Sequence, residues 1–319
     1  MAVADGSLTR LADISEVTIG TTPTSPTFQR MRYLSATIKP GKEVDVPDEI
    51  RADGNVASIV DVGRSGSLSI KTNMSYGTYD NWLARLLRGA WSTDVLVNGI
   101  TQTAGTMELT YEQGATDTFL RFTGCRVNTL DMVIEAKKSI TADWGFMALG
   151  VSDPANAILS GATYTAPSTT PVMNAANDVG TLTITGVSNA PKIQKISMKI
   201  DSGVYANQIV GQKDPYSHGI GIIKVTGSIT TLFENKDFYG AILGHNDITL
   251  STTIGASAGS RYTIDLPLMK LMDGGPEVGG NGRAVILDVP FQCYYDATTT
   301  GTIKVTRAVI GRAWCRARV

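Results

Sequence analysis

Histidine is nearly absent, with only His218 and His245 among 319 residues. General-base chemistry and metal ligation both lean on histidine, so little of either is expected. Cysteine is scarce too. Cys125, Cys293 and Cys315 lie far apart with no CxxC spacing, which excludes a zinc knuckle and fits reduced, cytosolic synthesis. Cys125 and Cys293 have apolar neighbours and are expected in the core. Neither sign of charge is in excess: 28 basic side chains face 29 acidic ones. A protein that grips nucleic acid by its phosphates shows a basic surplus, and none is present. Long apolar runs are missing, and no stretch approaches the roughly 18 residues of a membrane span. The first residues, MAVADGSLTRLADISEVTIG, hold no basic segment followed by an apolar run. No signal peptide is expected, and the chain is read as working in the cytosol or in something assembled there.

What is abundant is strand and turn. Thr, Val, Ile and Ser recur, with 33 glycines. Short runs alternate apolar and polar at Ser67–Lys71, Thr106–Tyr111, Thr181–Thr185, Ile196–Ile200, Thr263–Leu266 and Thr302–Val305. Period-two alternation predicts strands with one buried and one wet face, so the chain reads as mainly antiparallel β. One helix interrupts, over Tyr79–Trp91. Trp82, Leu83, Leu86, Leu87 and Ala90 share a face, Thr78 is placed to cap it, Asp80 suits its N-terminal end and Gly89 weakens its last turn. Its expected task is to cover a sheet.

Signs of catalysis are weak. Gly255-Ala256-Ser257-Ala258-Gly259 matches G-x-S-x-G, but both histidines precede Ser257 and the flanks read as strands, so a hairpin turn is expected. The glycine-rich stretch Gly274–Gly282 lacks the lysine and hydroxyl of a phosphate loop and reads as a hairpin tip. His218 and His245 read as surface or packing residues, and Asp45, Asp48 and Glu49 as loop charges. Arg312, Arg316 and Arg318 make a basic tail that reads as solvated or subunit-facing. No catalytic, cofactor or metal residues are assigned, and the chain is not read as an enzyme.

The two halves look alike. MRYLSATIKPG and then VGRSGSLSIKTNMSYGTYDNWLARLLRG in the first answer to IQKISMKIDSG and then IKVTGSITTLFENKDFYGAILGHN in the second. Gly66 is matched with Gly227, and the strand beginning at Phe122 with that beginning at Tyr262. Between them a Pro-, Ser- and Thr-rich stretch reads as a linker entering a new first strand. The expected division is a first lobe at 1–150, linker and entry strand at 151–192, and a second lobe at 193–319.

An ordered series of segments runs through the first half: Glu16–Pro23, Phe28–Tyr33, Asp48–Gly54, Val62–Leu68, Tyr76–Asp80 and the helix ending Gly89-Ala90-Trp91. Taken in order, it resembles the tail tube proteins of long-tailed, non-contractile phages. Gly54 departs from that pattern, which has a basic residue there. The resemblance implies an all-β, mainly antiparallel fold with one or two short flanking helices. It implies a duplicated tail-tube-type sandwich or barrel whose inner strands join an inter-subunit β-barrel. It also implies a structural virion protein of the phage tail, assembled in the host cytoplasm. Its partners would be its own copies, a tape measure protein, and tail terminator and distal tail proteins. Double-stranded DNA would pass without specific binding, and no membrane is involved. The segment from about Pro40 to Ile59 would reach the neighbouring ring, with Asp48, Arg51 and Asp53 as contacts. Alternatives are a capsid decoration or stabilising protein, a virion-associated hydrolase using Ser257, and a carbohydrate-binding sandwich.

Physics favours a tube. Exposed strand edges pair with whatever is available, and closing strands into a ring across copies removes them. With strands about 4.8 Å apart and tilted about 40°, twenty-four give a barrel about 48 Å across and twelve give about 24 Å. Only the former leaves room for a duplex. At four inner strands per lobe, three duplicated chains supply twenty-four, so a pseudo-sixfold trimer is the first expectation and a hexamer the second. The lumen is expected to be rich in Ser, Thr, Asn, Asp and Glu and poor in basic side chains, because repeated phosphate contacts would trap the genome.

Overall fold

The computed structural model describes residues 3–114, 116–180, 182–187, 191–255 and 259–308. Among them strands dominate, two short helices occur, and all pairings but one are antiparallel, as the alternating runs require. β1 (Thr9–Ser15) pairs with β2 (Thr27–Met31) and, along its whole length, with β8 (Gly105–Tyr111). Between β2 and β8 come β3 (Ser35–Lys39), the hairpin strands β4 (Lys42–Asp45) and β5 (Val60–Arg64), β6 (Ser67–Asn73), helix α1 (Asp80–Leu87) and the short β7 (Val95–Val97). The pivot is β9 (Thr118–Glu135), long enough to belong to two layers. Its first part pairs with β8 in a back sheet, and its second part with β10 (Thr141–Met147) in a front sheet ordered β3-β6-β10-β9. Gly124 lies within the first part at φ +64°, and a Cβ there would stand 2.7 Å from that of Leu149. β11 (Gly150–Val151) and β12 (Thr163–Thr165) complete the back sheet; β12 makes the parallel pairing, with β2.

The second half repeats the order. After β13 (Thr183–Thr185) come β14 (Ile193–Asp201), the hairpin strands β15 (Val204–Asn207) and β16 (Ser217–Ile220), and β17 (Lys224–Leu232). Then follow α2 (Asp237–Leu243), β18 (Ile248–Ile254), β19 (Tyr262–Leu271), β20 (Pro276–Glu277), β21 (Ile286–Cys293) and β22 (Lys304–Arg307). The front strands run β14-β17-β21-β19, and β19, like β9, also serves the back layer through β18 and β22. The two front arrays are one sheet, because β9 pairs with β14 from Lys195↔Glu135 to Asp201↔Thr129. The segment read as a linker is laid against both halves, β12 on β2 and β13 on β18.

The core lies between the layers. α1 brings Trp82 edge-on to Trp144 and Phe146, with ring centroids 5.4 and 5.0 Å away. Trp82, Leu86 and Leu87 are fully buried, each stabilising by about 1.5–3 kcal/mol relative to exposure. The helix stops earlier than expected. Arg88 turns left-handed at φ 50°, and Gly89 is pressed so close to β7 that a Cβ would stand 2.3 Å from the carbonyl oxygen of Val97. Thr78 is no cap: its hydroxyl bonds to that of Ser75, 2.7 Å away, and Tyr79 opens the helix without a side-chain cap.

Two further expectations are corrected. β8 was expected to have one wet face, but both are buried over Gly105–Thr110. On its polar side Glu108 is sealed by Arg121 and Tyr164, and Thr106 bonds to Glu16 at 2.8 Å. Gly66 and Gly227 are not equivalent either. Gly227 stands opposite Met198, whereas Ile70 stands opposite Ala36, the residue that matches Met198 when the two halves are laid together. The match of β3 to β14 is anchored by Gly41 and Gly203, which close the two strands at φ +62° and +64°.

Cys125 and Cys293 are buried as expected; burial pushes both thiols up, Cys293 to about 12. Cys315, Arg312, Arg316, Arg318 and Ser257 lie outside the described residues; the strands flanking Ser257, β18 and β19, pair antiparallel. Gly274–Gly282 falls at the turn of the β20–β21 hairpin and is largely exposed.

Candidate assembly interface

The front sheet has an unfilled side. β6 gives its even-numbered backbone groups to β10, since Met74 N donates to Ile140 O at 2.9 Å and Ala148 N to Gly66 O at 2.8 Å. Its odd-numbered groups therefore face β3, consistent with Ser65 N donating to Gly41 O at 2.8 Å. Strand alternation then turns the N–H and C=O of Ala36 and Ile38 outward, where no strand lies among the described residues. The matching residues of β14, Met198 and Ile200, direct theirs at Met132 and Leu130 of β9. One edge is thus satisfied within the chain and its counterpart is open. At the far end of the front sheet stand the end of β19 and β20, beside β21.

Each front array carries a hairpin between its first two strands. In the first half it is the β4–β5 arm, whose segment from Glu43 to Val60 is exposed apart from Pro47. It displays Val46, Ile50, Val56 and Ile59 to solvent. Arg51 and Asp53 bond each other bidentately at 3.0 and 2.8 Å, and this pair holds the Asp53 carboxyl well below its ordinary value. Asp48 is exposed further back in the arm. Gly54 ends the turn at φ +65°, donating to Arg51 O at 3.2 Å, in a backbone conformation that favours glycine.

The second hairpin, β15–β16, leans on the first. Arg64 N donates to Lys213 O at 2.8 Å, Lys213 Nζ meets Asp61 at 2.7 Å, and Arg64 meets Asp214 at 2.9 Å. Sequence reading missed this brace, because Lys213-Asp214-Pro215 reads only as loop charge.

The open face of the front sheet is polar. Ser35, Thr37, Ser67, Ser69, Thr129, Ser197, Thr226 and Ser228 line it; several of its lysines share rows with acids, while Lys39 faces Ser67. Lys71, Asp143, Asp131 and Lys199 stand in one row across four strands, and Lys195 faces Glu135. In these rows acid and base are interleaved. Among the described residues no cluster of His, Cys, Asp or Glu could hold a metal ion. His218 is buried and His245 exposed.

The model of the phage tail tube protein family matches residues 6–293. The chain belongs to that family. It is therefore a structural component of the phage tail, of a family that is not enzymatic. No curated protein matches the chain.

Proposed function

We propose that copies of this tail tube protein close into rings through the edges of the front sheet, and that the rings stack into the conduit for double-stranded DNA. The observation that carries this reading is the open edge of β3 beside the filled edge of its counterpart β14. In this reading β9 on β14 is the template of the seam. The same rotation applied again sets the far edge of one front sheet, around Met269–Glu277, against β3 of the next copy. Such a contact is head-to-tail and closes when the rotation completes a circle. The chain is a duplication, with lobes at 1–150 and 193–319 joined by 151–192. Eight front strands per chain make twenty-four in three copies, about 48 Å across at ordinary spacing and tilt. A pseudo-sixfold trimer is the first choice and a hexamer the second.

The open face becomes the lumen. It carries more lysine than a purely acidic or hydroxylated wall would, but the rows through Lys71, Lys195 and Lys199 also hold carboxylates, which lessens the pull on passing phosphates. The β4–β5 arm reaches the adjacent ring through Asp48, Arg51 and Asp53, with the second hairpin as its brace. Tape measure protein fills the tube before DNA, and terminator and distal tail proteins bound its ends.

Electron cryomicroscopy of tubes polymerised from the purified chain tests this. Three chains per ring, with β3 hydrogen-bonded to a neighbour, are expected. A chain that stays monomeric with every sheet edge sealed, or tubes whose contacts leave β3 unpaired, would refute it.

A further inference from the structure

A buried cluster of two arginines and a histidine lies at the arm end of the front sheet, beneath the second hairpin. Arg126 on β9 is fully buried, Arg88 beyond the end of α1 is 4% exposed, and His218 on β16 is 6% exposed. The β15–β16 hairpin assembles them. Asn128 holds its start, accepting from Ser202 N at 2.7 Å and Val204 N at 2.9 Å. Gly221 at its end accepts from Arg88 Nη1 at 2.8 Å. One strap ties the two arginines, since Thr101 N donates to Arg88 O at 2.8 Å and the next residue, Gln102, accepts from Arg126 Nη1 at 3.0 Å, while His218 stands on the strand that leads to Gly221; the cation of Arg126 acts on its ring.

The cluster is under-satisfied. Arg126 makes one bond, from Nη1 to Gln102 Oε1 at 3.0 Å. Its Nε and Nη2, Arg88 Nε, both ring nitrogens of His218 and the Ser202 hydroxyl are buried without a partner. These are six of the thirteen such side-chain atoms among the described residues. Among the described residues no carboxylate forms an ion pair with either arginine. The carbonyls at the end of α1 offer little, since those of Leu87 and Arg88 already accept from Gly99 and Thr101. Guanidinium charge buried without a carboxylate is strongly disfavoured, and an anion would relieve it.

We propose that Arg88, Arg126 and His218 form a binding site for one small inorganic oxyanion of the phosphate or sulfate class. Two guanidinium forks match the oxygens of a tetrahedral ion, and an imidazole and a hydroxyl supply further donors. The near-complete burial of all three side chains favours a free ion over a group carried on a macromolecule. The ion would lock the second hairpin to β9 and α1, and through it the brace beneath the arm.

The test uses the unassembled full chain. Thermal unfolding is compared in sodium chloride and in sodium phosphate or sulfate of equal ionic strength. A saturable rise of the midpoint in phosphate and in sulfate is expected. Arg126→Met and Arg88→Met should each raise the phosphate concentration for half the shift by about tenfold or more, as loss of a charged hydrogen bond implies. Equilibrium dialysis of wild type against radiolabelled phosphate needs no variant, and one ion per chain is expected. An equal midpoint in phosphate and chloride, no ion retained on dialysis, or a variant that responds as wild type would overturn the site. So would a tube map that places a neighbour's carboxylate on Arg126.

Discussion

Ala36 on β3 and Met198 on β14 stand at the same position of two matching strands, yet only Met198 has a strand beyond it, pairing with Met132. Replacing Ala36 by proline removes one outward N–H and leaves the bonds to β6 in place. Proline is tolerated on edge strands, so stability of the single chain should change by no more than about 1 kcal/mol. Polymerisation should be lost. Sedimentation of the variant, set beside a urea melt, reads both; tubes formed at the wild-type rate would show that this edge is not the seam.

The arm makes a second, separable prediction. Arg51→Glu breaks the pair with Asp53 at a site surrounded by water. The melting midpoint should not move, because nothing buried depends on the pair. Rings should still form and their stacking should weaken, giving short stacks or single annuli under negative stain. Long tubes from this variant would remove Arg51 and Asp53 from the contact.

Much of this was legible in the sequence. Alternation at Ser67–Lys71 and Ile196–Ile200 marks strands because burial on one face leaves a period of two, and the register of both was then found in one sheet. The helix was legible from Trp82 and the leucines, but its end was not. Arg88 turns left-handed and Gly89 leaves room for Val97, a tertiary neighbour that no local propensity encodes. The Gly66–Gly227 match failed for a related reason: the identity of a glycine says little about which partner it faces. Arg88, Arg126 and His218 were invisible as a group because their proximity arises only when the second hairpin folds back onto β9.

A buried ion pair anchors α1 to the back sheet. Arg85 donates to Asp13 at 2.7 Å and to the Ser15 hydroxyl at 3.0 Å, with the two charged side chains almost wholly buried. Asp13→Asn leaves an uncompensated guanidinium and should destabilise by about 3–5 kcal/mol. Gly105→Ala should also destabilise, since its Cβ would come within 2.4–2.6 Å of that guanidinium. Urea denaturation measures both, and a loss under about 1 kcal/mol for Asp13→Asn would mean that solvent reaches the pair.

His218 sets an acid limit on stability. Burial, and then the cation of Arg126, lower its pKa from 6.5 to about 4. The folded chain thus resists a proton that the unfolded chain accepts near pH 6.5. Stability from this residue is complete above that pH and falls as the pH drops toward 4, by about 3 kcal/mol in all. His218→Gln cannot titrate and should lack this part of the slope while keeping the part due to carboxylates. Unfolding free energies by urea at intervals from pH 7 to 4 compare the two, and parallel curves would place His218 in contact with solvent. Phosphate should flatten the wild-type curve alone, because an anion beside the ring favours its protonated form.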